Sequence, residues 1–222
     1  MKKVLKNVSF VILLLKMCII LGQETGNQKR IVIDIGHGGK DSGAIGINGI
    51  QEKDIVLDTA LEILNLNGQL DKPLEIYLTR YSDTLISLSD RTKLAKFLDA
   101  DLFVSLHCNH SENPNARGVE LYVADSTSKY SDNATWCAYQ LQETFKRQLG
   151  FESRGVKFGN FQVLRETINY CPSVLLELGF LSNMDDSKYY QKPRSIKALA
   201  LVIWESLSKS LYGYERAGDW SV

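Results

Sequence analysis

Three short apolar runs each end in a residue able to hold a metal or move a proton, and this pattern narrows the fold more than any other feature. Ile31-Val-Ile-Asp-Ile35 ends in Gly36-His37-Gly38, and Glu52 follows 15 residues after His37. Leu102-Phe-Val-Ser-Leu106 ends in His107, and Val174-Leu-Leu176 ends in Glu177. Short β-branched and apolar runs alternating with helical patterns read as buried strands of an α/β domain. Strand ends in such domains converge at one sheet edge, where sites are built. Two histidines and one glutamate form the ligand set of a hydrolytic zinc site whose fourth position is left for water. The second glutamate then serves as general base.

The rest of the chain keeps the alternation. Residues 31–35 read as a strand, 36–49 as a loop carrying six glycines, and 53–66 as an amphipathic helix with Val56, Leu57, Ala60, Ile63 and Leu64 at helical spacing. A second strand covers 74–79. Ser89 is the N-cap of a helix reaching Leu98. Residues 101–107 and 118–124 are strands around a polar loop. Residues 133–149 form a helix with Trp136, Cys137, Leu141 and Phe145 toward the core and Tyr139 at the edge of that face. Residues 161–165 and 173–178 read as short strands, and Ser182 or Asn183 caps a final helix, in two pieces, that reaches Leu211. With no repeat or linker, the expectation is a single α/β domain over 31–211, a mostly parallel sheet of about six strands flanked by helices. A polar tail follows at 212–222.

The 26 basic and 26 acidic side chains cancel, so nothing argues for electrostatic capture of nucleic acid. At the N-terminus Lys2, Lys3 and Lys6 precede an apolar stretch, 8–21, broken by Ser9 and Lys16. A bilayer span needs about 20 apolar residues. The stretch fits a signal peptide over 1–23, cut after Gly22 or Gln23, with an uncleaved anchor as the alternative. A cleaved signal leaves no stable membrane span and places the chain in the periplasm or at the cell surface. Met17 before Cys18 argues against a lipoprotein. Cys108, Cys137 and Cys171 remain, an odd number with no metal-knuckle spacing. They read as buried small residues, with one disulfide open in an oxidising compartment.

The chain has three histidines. His37 lies between glycines that let the backbone turn and leave its ring unobstructed. His107 repeats that position on another strand, and both read as metal ligands. His110, in the loop after Asn109, reads as a substrate-contact or solvent residue. Glu52 precedes a helix, where the dipole alone favours a carboxylate, yet its place beside the His37 loop favours ligation. Glu177 sits inside an apolar run, which is costly for a carboxylate unless it is paired or faces a metal. Desolvation there raises its pKa toward the range of a general base; a buried salt bridge, for example to Arg165, is the alternative.

These residues together resemble the zinc-dependent N-acetylmuramoyl-L-alanine amidases of the amidase-3 type, which are bacterial cell-wall hydrolases. Ile33-Asp-Ile-Gly-His-Gly-Gly-Lys-Asp-Ser-Gly-Ala44 is similar to that family's first zinc motif, Gly49-Ile-Gln-Glu-Lys-Asp54 to its glutamate motif, and Ser105-Leu-His-Cys-Asn109 to its second histidine motif. Leu78-Thr-Arg80, Asp83-Thr84, Leu88 and Arg91 follow its next block. Ala116 to Glu120, Arg154-Gly-Val-Lys157, Val163 to Thr167 and Pro172 to Asn183 complete the series. The resemblance covers about 31–211. It implies that His37, Glu52 and His107 hold Zn²⁺, that Glu177 is the catalytic carboxylate, and that the substrate is the amide between N-acetylmuramic acid and L-alanine of peptidoglycan. Arg165 becomes a candidate for gripping a stem-peptide carboxylate, with Asn109 and His110 at the pocket. Ile35, Lys96 and His110 depart from the residues usual in the family. Some members carry an extra helix that blocks the zinc site; here 123–157 holds one helix's worth of sequence, so no plug is expected. Targeting then uses the catalytic domain or a partner protein that activates or recruits it. The competing readings are another zinc amide hydrolase, such as a carboxypeptidase, and a non-catalytic wall-binding protein.

Overall fold

β1 (Arg30–Ile35) is fully buried from Ile31 to Ile35, as its β-branched run requires of a central strand. In the computed structural model, which describes residues 28–71 and 73–212, the chain continues through α1 (Glu52–Asn67), β2 (Glu75–Leu78), α2 (Leu88–Phe97), β3 (Leu102–Asn109) and β4 (Val119–Ala124). Then come α3 (Ser131–Thr144) with a π-helical turn (Phe145–Leu149), β5 (Ser153–Gly159), α4 (Gln162–Thr167), β6 (Ser173–Phe180), α5 (Met184–Tyr190) and α6 (Pro193–Tyr212). The signal segment expected over 1–23 and the tail from 213 lie outside the described residues. Tyr212, placed in that tail by sequence, is the last residue of α6.

The six strands form one sheet in the order β2-β1-β3-β6-β4-β5. β2, β1, β3 and β6 are parallel; β4 runs antiparallel to β6, and β5 runs parallel to β4. The carboxyl ends of β1, β3 and β6 therefore share an edge with the amino ends of β4 and β5. α1 and α3 pack on α6, while α2 packs on α4, giving the sheet two helix layers. Among the described residues no helix is long and apolar enough to cross a membrane.

Four local expectations change. Residues 161–165 are not a strand: α4 buries Val163, Leu164 and Thr167, a helical spacing that a short apolar run conceals, and Gln162 donates to Glu166 one turn on at 2.8 Å. The sixth strand is β5, whose Ser153-Arg-Gly-Val-Lys-Phe-Gly159 lacks alternation because it is an edge strand carrying charge. Ser87, not Ser89, caps α2, its side chain accepting from Asp90 N–H. Trp136 is exposed and stacks on Tyr139 at 5.8 Å, since the buried face of α3 is Ala134, Cys137, Ala138 and Leu141, one residue off. Cys108, Cys137 and Cys171 are buried free thiols. Burial pushes Cys137 up to about 11 and Cys171 to about 12.

Candidate metal centre

His37 leaves the end of β1 in a left-handed backbone conformation, φ 58°. That region costs a non-glycine residue about 1–3 kcal/mol and persists only where the surroundings impose it. Here two buried arginines do so. Arg91 Nη2 donates to the His37 carbonyl at 2.9 Å, and Arg80 Nη2 donates to the Gly36 carbonyl at 3.0 Å. Further along the loop, Gly39 N–H donates to Asp83 Oδ1 at 2.7 Å. The turn aims the imidazole at α1, leaving His37 Nε2 3.1 Å from Glu52 Oε1. The opposite ring nitrogen, Nδ1, lies 2.9 Å from Asp41 Oδ2.

Glu52 is the first residue of α1 and is buried. Its Oε1 accepts from Cys108 N–H at 2.9 Å and its Oε2 from Ala44 N–H at 2.7 Å, so both oxygens are fixed by backbone. His107, on β3, brings Nδ1 to 2.8 Å from the same Oε1. The two imidazoles stand nearly perpendicular, at 82°, with centroids 5.0 Å apart. Two glycines make room for this packing. A Cβ on Gly36 would lie 2.5 Å from the His107 ring, and one on Gly43 would lie 2.4 Å from Glu52 Oε2.

The site fits a metal ion by the arrangement of its donors. One ligand atom from each of His37, Glu52 and His107 lies within 4.8 Å of the others. Ligands at about 2.0–2.1 Å from a tetrahedral ion are about 3.3 Å apart, close to the 3.1 and 2.8 Å separations from Glu52 Oε1. Asp41 on the far side of His37 supplies the outer carboxylate that orients a ligating imidazole.

Without a metal, protons fill that role. Burial alone lowers the His37 imidazole, but hydrogen bonds to Glu52 and Asp41 override it and push the group up to about 9. Burial likewise raises Glu52, but His107 and His37 hold it down to about 2. His107 is also raised, burial being outweighed by its bond to Glu52. A divalent ion must therefore displace a proton from His37 at any pH below about 9. Metal binding is expected to release protons, and its affinity to weaken about tenfold for each unit by which pH falls below about 9, for each proton displaced. Titration calorimetry in two buffers of different ionisation enthalpy measures the proton count; identical heats in both would contradict it.

Glu177 stands beside this triad. It pairs with His107 across β3–β6 and with Glu120 across β6–β4, so the three side chains share one face at one edge. Its Oε2 is buried without a hydrogen-bond partner among the described residues. Burial pushes the carboxyl up to about 7, against the pull of His107. A buried carboxylate oxygen left open beside a ligand cluster is a group held ready for a proton.

The other residues singled out in the sequence separate here. Asn109 Nδ2 donates to Glu120 Oε2 at 3.2 Å, next to the site. His110 is exposed, its N–H donating to Asn109 Oδ1. Arg165 lies on α4, and its Nη1 donates to the backbone and side-chain oxygens of Asn160. The sequence assigns no site role to Asp41, in the polar Gly39-Lys-Asp-Ser-Gly43 loop, and sets Arg80 and Arg91 in a motif block only, because their contacts to the His37 loop form only in the folded chain.

Residues 31–209 match the sequence profile of one protein family, described as N-acetylmuramoyl-L-alanine amidase. The chain belongs to that family. The amidase LytC of Bacillus subtilis is 39% identical over 162 residues, a match covering 72% of this chain and 31% of LytC. The catalytic domain of the amidase CwlV from Bacillus (Paenibacillus) polymyxa superposes with a TM-score of 0.74 at 36% identity, covering 82% of this chain and 98% of that domain. The CwlD amidase of Clostridioides difficile, solved in complex with the GerS lipoprotein, gives a TM-score of 0.74 at 27% identity, with 82% and 98% covered. The chain spans between 31% and 64% of the length of four of its curated amidase relatives. The amidase fold and the donor cluster thus coincide in this one domain.

Proposed function

We propose that residues 31–211 are a zinc-dependent amidase domain that hydrolyses the amide between N-acetylmuramic acid and the L-alanine of the peptidoglycan stem peptide. The observation that carries this is the buried Glu177 Oε2, without a hydrogen-bond partner among the described residues, beside the His37–Glu52–His107 donor cluster on the scaffold of this family. His37 Nε2, Glu52 Oε1 and His107 Nδ1 hold Zn²⁺, two imidazoles and a carboxylate being a hydrolytic zinc set. Such an ion supplies Lewis acidity to the amide carbonyl and to an attacking water. Glu177 accepts the water proton and passes it to the leaving nitrogen of L-alanine. Its raised pKa suits both halves of that transfer near neutral pH. Asp41 keeps the proton on His37 Nδ1 and so leaves Nε2 free to donate its lone pair.

The substrate implies export. Residues 1–23 act as the signal, placing the domain in the periplasm or at the cell surface, where it serves wall remodelling or cell separation. A protein activator or targeting partner is part of this reading; the CwlD amidase was solved with a lipoprotein bound.

Digestion of purified peptidoglycan by the Zn²⁺-loaded protein, with products identified by mass spectrometry, tests the reading. Free stem peptides bearing N-terminal L-alanine are expected. Release of single amino acids instead would point to a carboxypeptidase, and binding without cleavage to a wall-binding protein.

A further inference from the structure

Glu120 is buried on β4, one strand from Glu177, and gathers four partners. Arg154 Nε donates to its Oε1, Lys157 Nζ reaches the same oxygen at 2.9 Å, and Tyr122 Oη and Asn109 Nδ2 donate to Oε2 at 2.8 and 3.2 Å. Two cations meet one carboxylate, so Glu120 does not by itself neutralise both Arg154 and Lys157. Arg154 engages Glu120 through Nε alone. Its Nη1 and Nη2 have no hydrogen-bond partner among the described residues, and its side chain is 33% exposed. The guanidinium also lies 4.9 Å from the Phe180 ring centroid. A guanidinium fixed at Nε and on one face, with its fork unoccupied, is preorganised to take a carboxylate in two parallel bonds.

We infer that Arg154, held by Glu120 and Phe180 and backed by Lys157, is a specificity residue that binds a free carboxylate on the stem-peptide side of the scissile amide. The inference rests on the amidase reading for the identity of the ligand. The reach agrees: Glu120 is one strand spacing, about 5 Å, from Glu177, and an extended peptide advances about 3.3 Å per residue. One to two residues of an extended stem peptide thus span the spacing between Glu177 and Glu120, beside which the Arg154 guanidinium stands. Arg165, the sequence-based candidate, is by contrast occupied with Asn160.

The test uses two N-acetylmuramoyl-L-alanyl-D-glutamate ligands with the γ-carboxyl capped as a methylamide. One has a free α-carboxylate and the other an α-carboxamide. Calorimetry in a Zn²⁺-loaded Glu177→Gln background reads binding without turnover. The acid is expected to bind at least about tenfold more tightly than the amide, the range for hydrogen bonds to a charged group. Arg154→Gln should bring the ratio close to one. Arg154→Lys, which keeps the charge facing Glu120 but lacks the fork, should fall between. Equal affinity for acid and amide in the parent would overturn the inference, as would a ratio that survives both substitutions; thermal melts confirm that each variant is folded. Hydrolysis is scored separately on the native chain. Loss of cleavage with the binding ratio intact defeats the amidase reading alone, and cleavage without discrimination defeats only the role of Arg154.

Discussion

Glu177→Gln is expected to leave the metal-free protein more stable at pH 8 while nearly abolishing hydrolysis by the metal-loaded one. The stability half follows from desolvation. The folded carboxyl titrates at about 7, above its ordinary 4.5. A group shifted upward favours the folded state at low pH, and that advantage is lost as pH rises from about 4.5 through about 7. At pH 8 the ionised side chain therefore costs about 3 kcal/mol relative to an exposed glutamate. Glutamine keeps the shape and carries no charge, so the gain in melting temperature should be large at pH 8 and vanish near pH 4.5. The activity half follows from the lost base, which is worth about 10²–10⁴-fold in rate. Metal content should not change, because His37, Glu52 and His107 supply the donors. Melts in chelator at both pH values, metal analysis and stem-peptide release measure the three quantities. A variant no more stable at pH 8 would mean that Glu177 is not desolvated; one that still cleaves would remove it as the base.

That a single carboxylate strains the fold and, in the proposed reaction, carries the chemistry explains why this site is legible in the sequence. Glu177 breaks an apolar run, and His37 sits among glycines that a merely structural histidine does not need. Both are conflicts between local sequence and burial, which functional sites tolerate. Asp34 breaks the run Ile31–Ile35 in the same way and is readable by the same logic. Its partner Arg91 is not, because a strand and a helix 57 residues apart meet only in the folded chain. The edge strand β5 escapes sequence reading for a related reason. It has no buried face of its own to impose alternation, and its Arg154 and Lys157 acquire meaning only once Glu120 lies beside them. The antiparallel entry of β4 leaves no mark in the sequence either, yet it is what sets Glu120 next to Glu177.

Replacing Arg91 is expected to separate what stabilises the fold from what shapes the metal site. Arg91 Nη1 pairs with Asp34 Oδ1 at 2.8 Å, and both side chains are almost wholly buried. Asp34 further accepts from Thr79 Oγ1 at 3.0 Å and Ser105 Oγ at 2.6 Å. Arg91→Met leaves that carboxylate buried without its cation, a change that costs about 3–5 kcal/mol. The same substitution removes the donors to the Ile35 and His37 carbonyls, so the left-handed turn at His37 loses part of its restraint. Metal affinity should then fall about 10–100-fold, as for other supports of ligating histidines. The pair Asp34→Leu with Arg91→Met removes both charges at once, and apolar replacement of a buried ion pair is close to neutral. Stability should return only in part, short of the two hydroxyl bonds to Asp34 and of the bonds from Arg91 to the Ile35, His37 and Ile86 carbonyls. Metal affinity should not return, because nothing in the double variant holds the His37 carbonyl. Chemical denaturation and metal titration of the two single variants and the double one form a thermodynamic cycle that keeps the two effects apart. If affinity recovers together with stability, Arg91 is only a counter-ion for Asp34, and the strained turn is imposed by Arg80 and the Asp83–Gly39 contact instead.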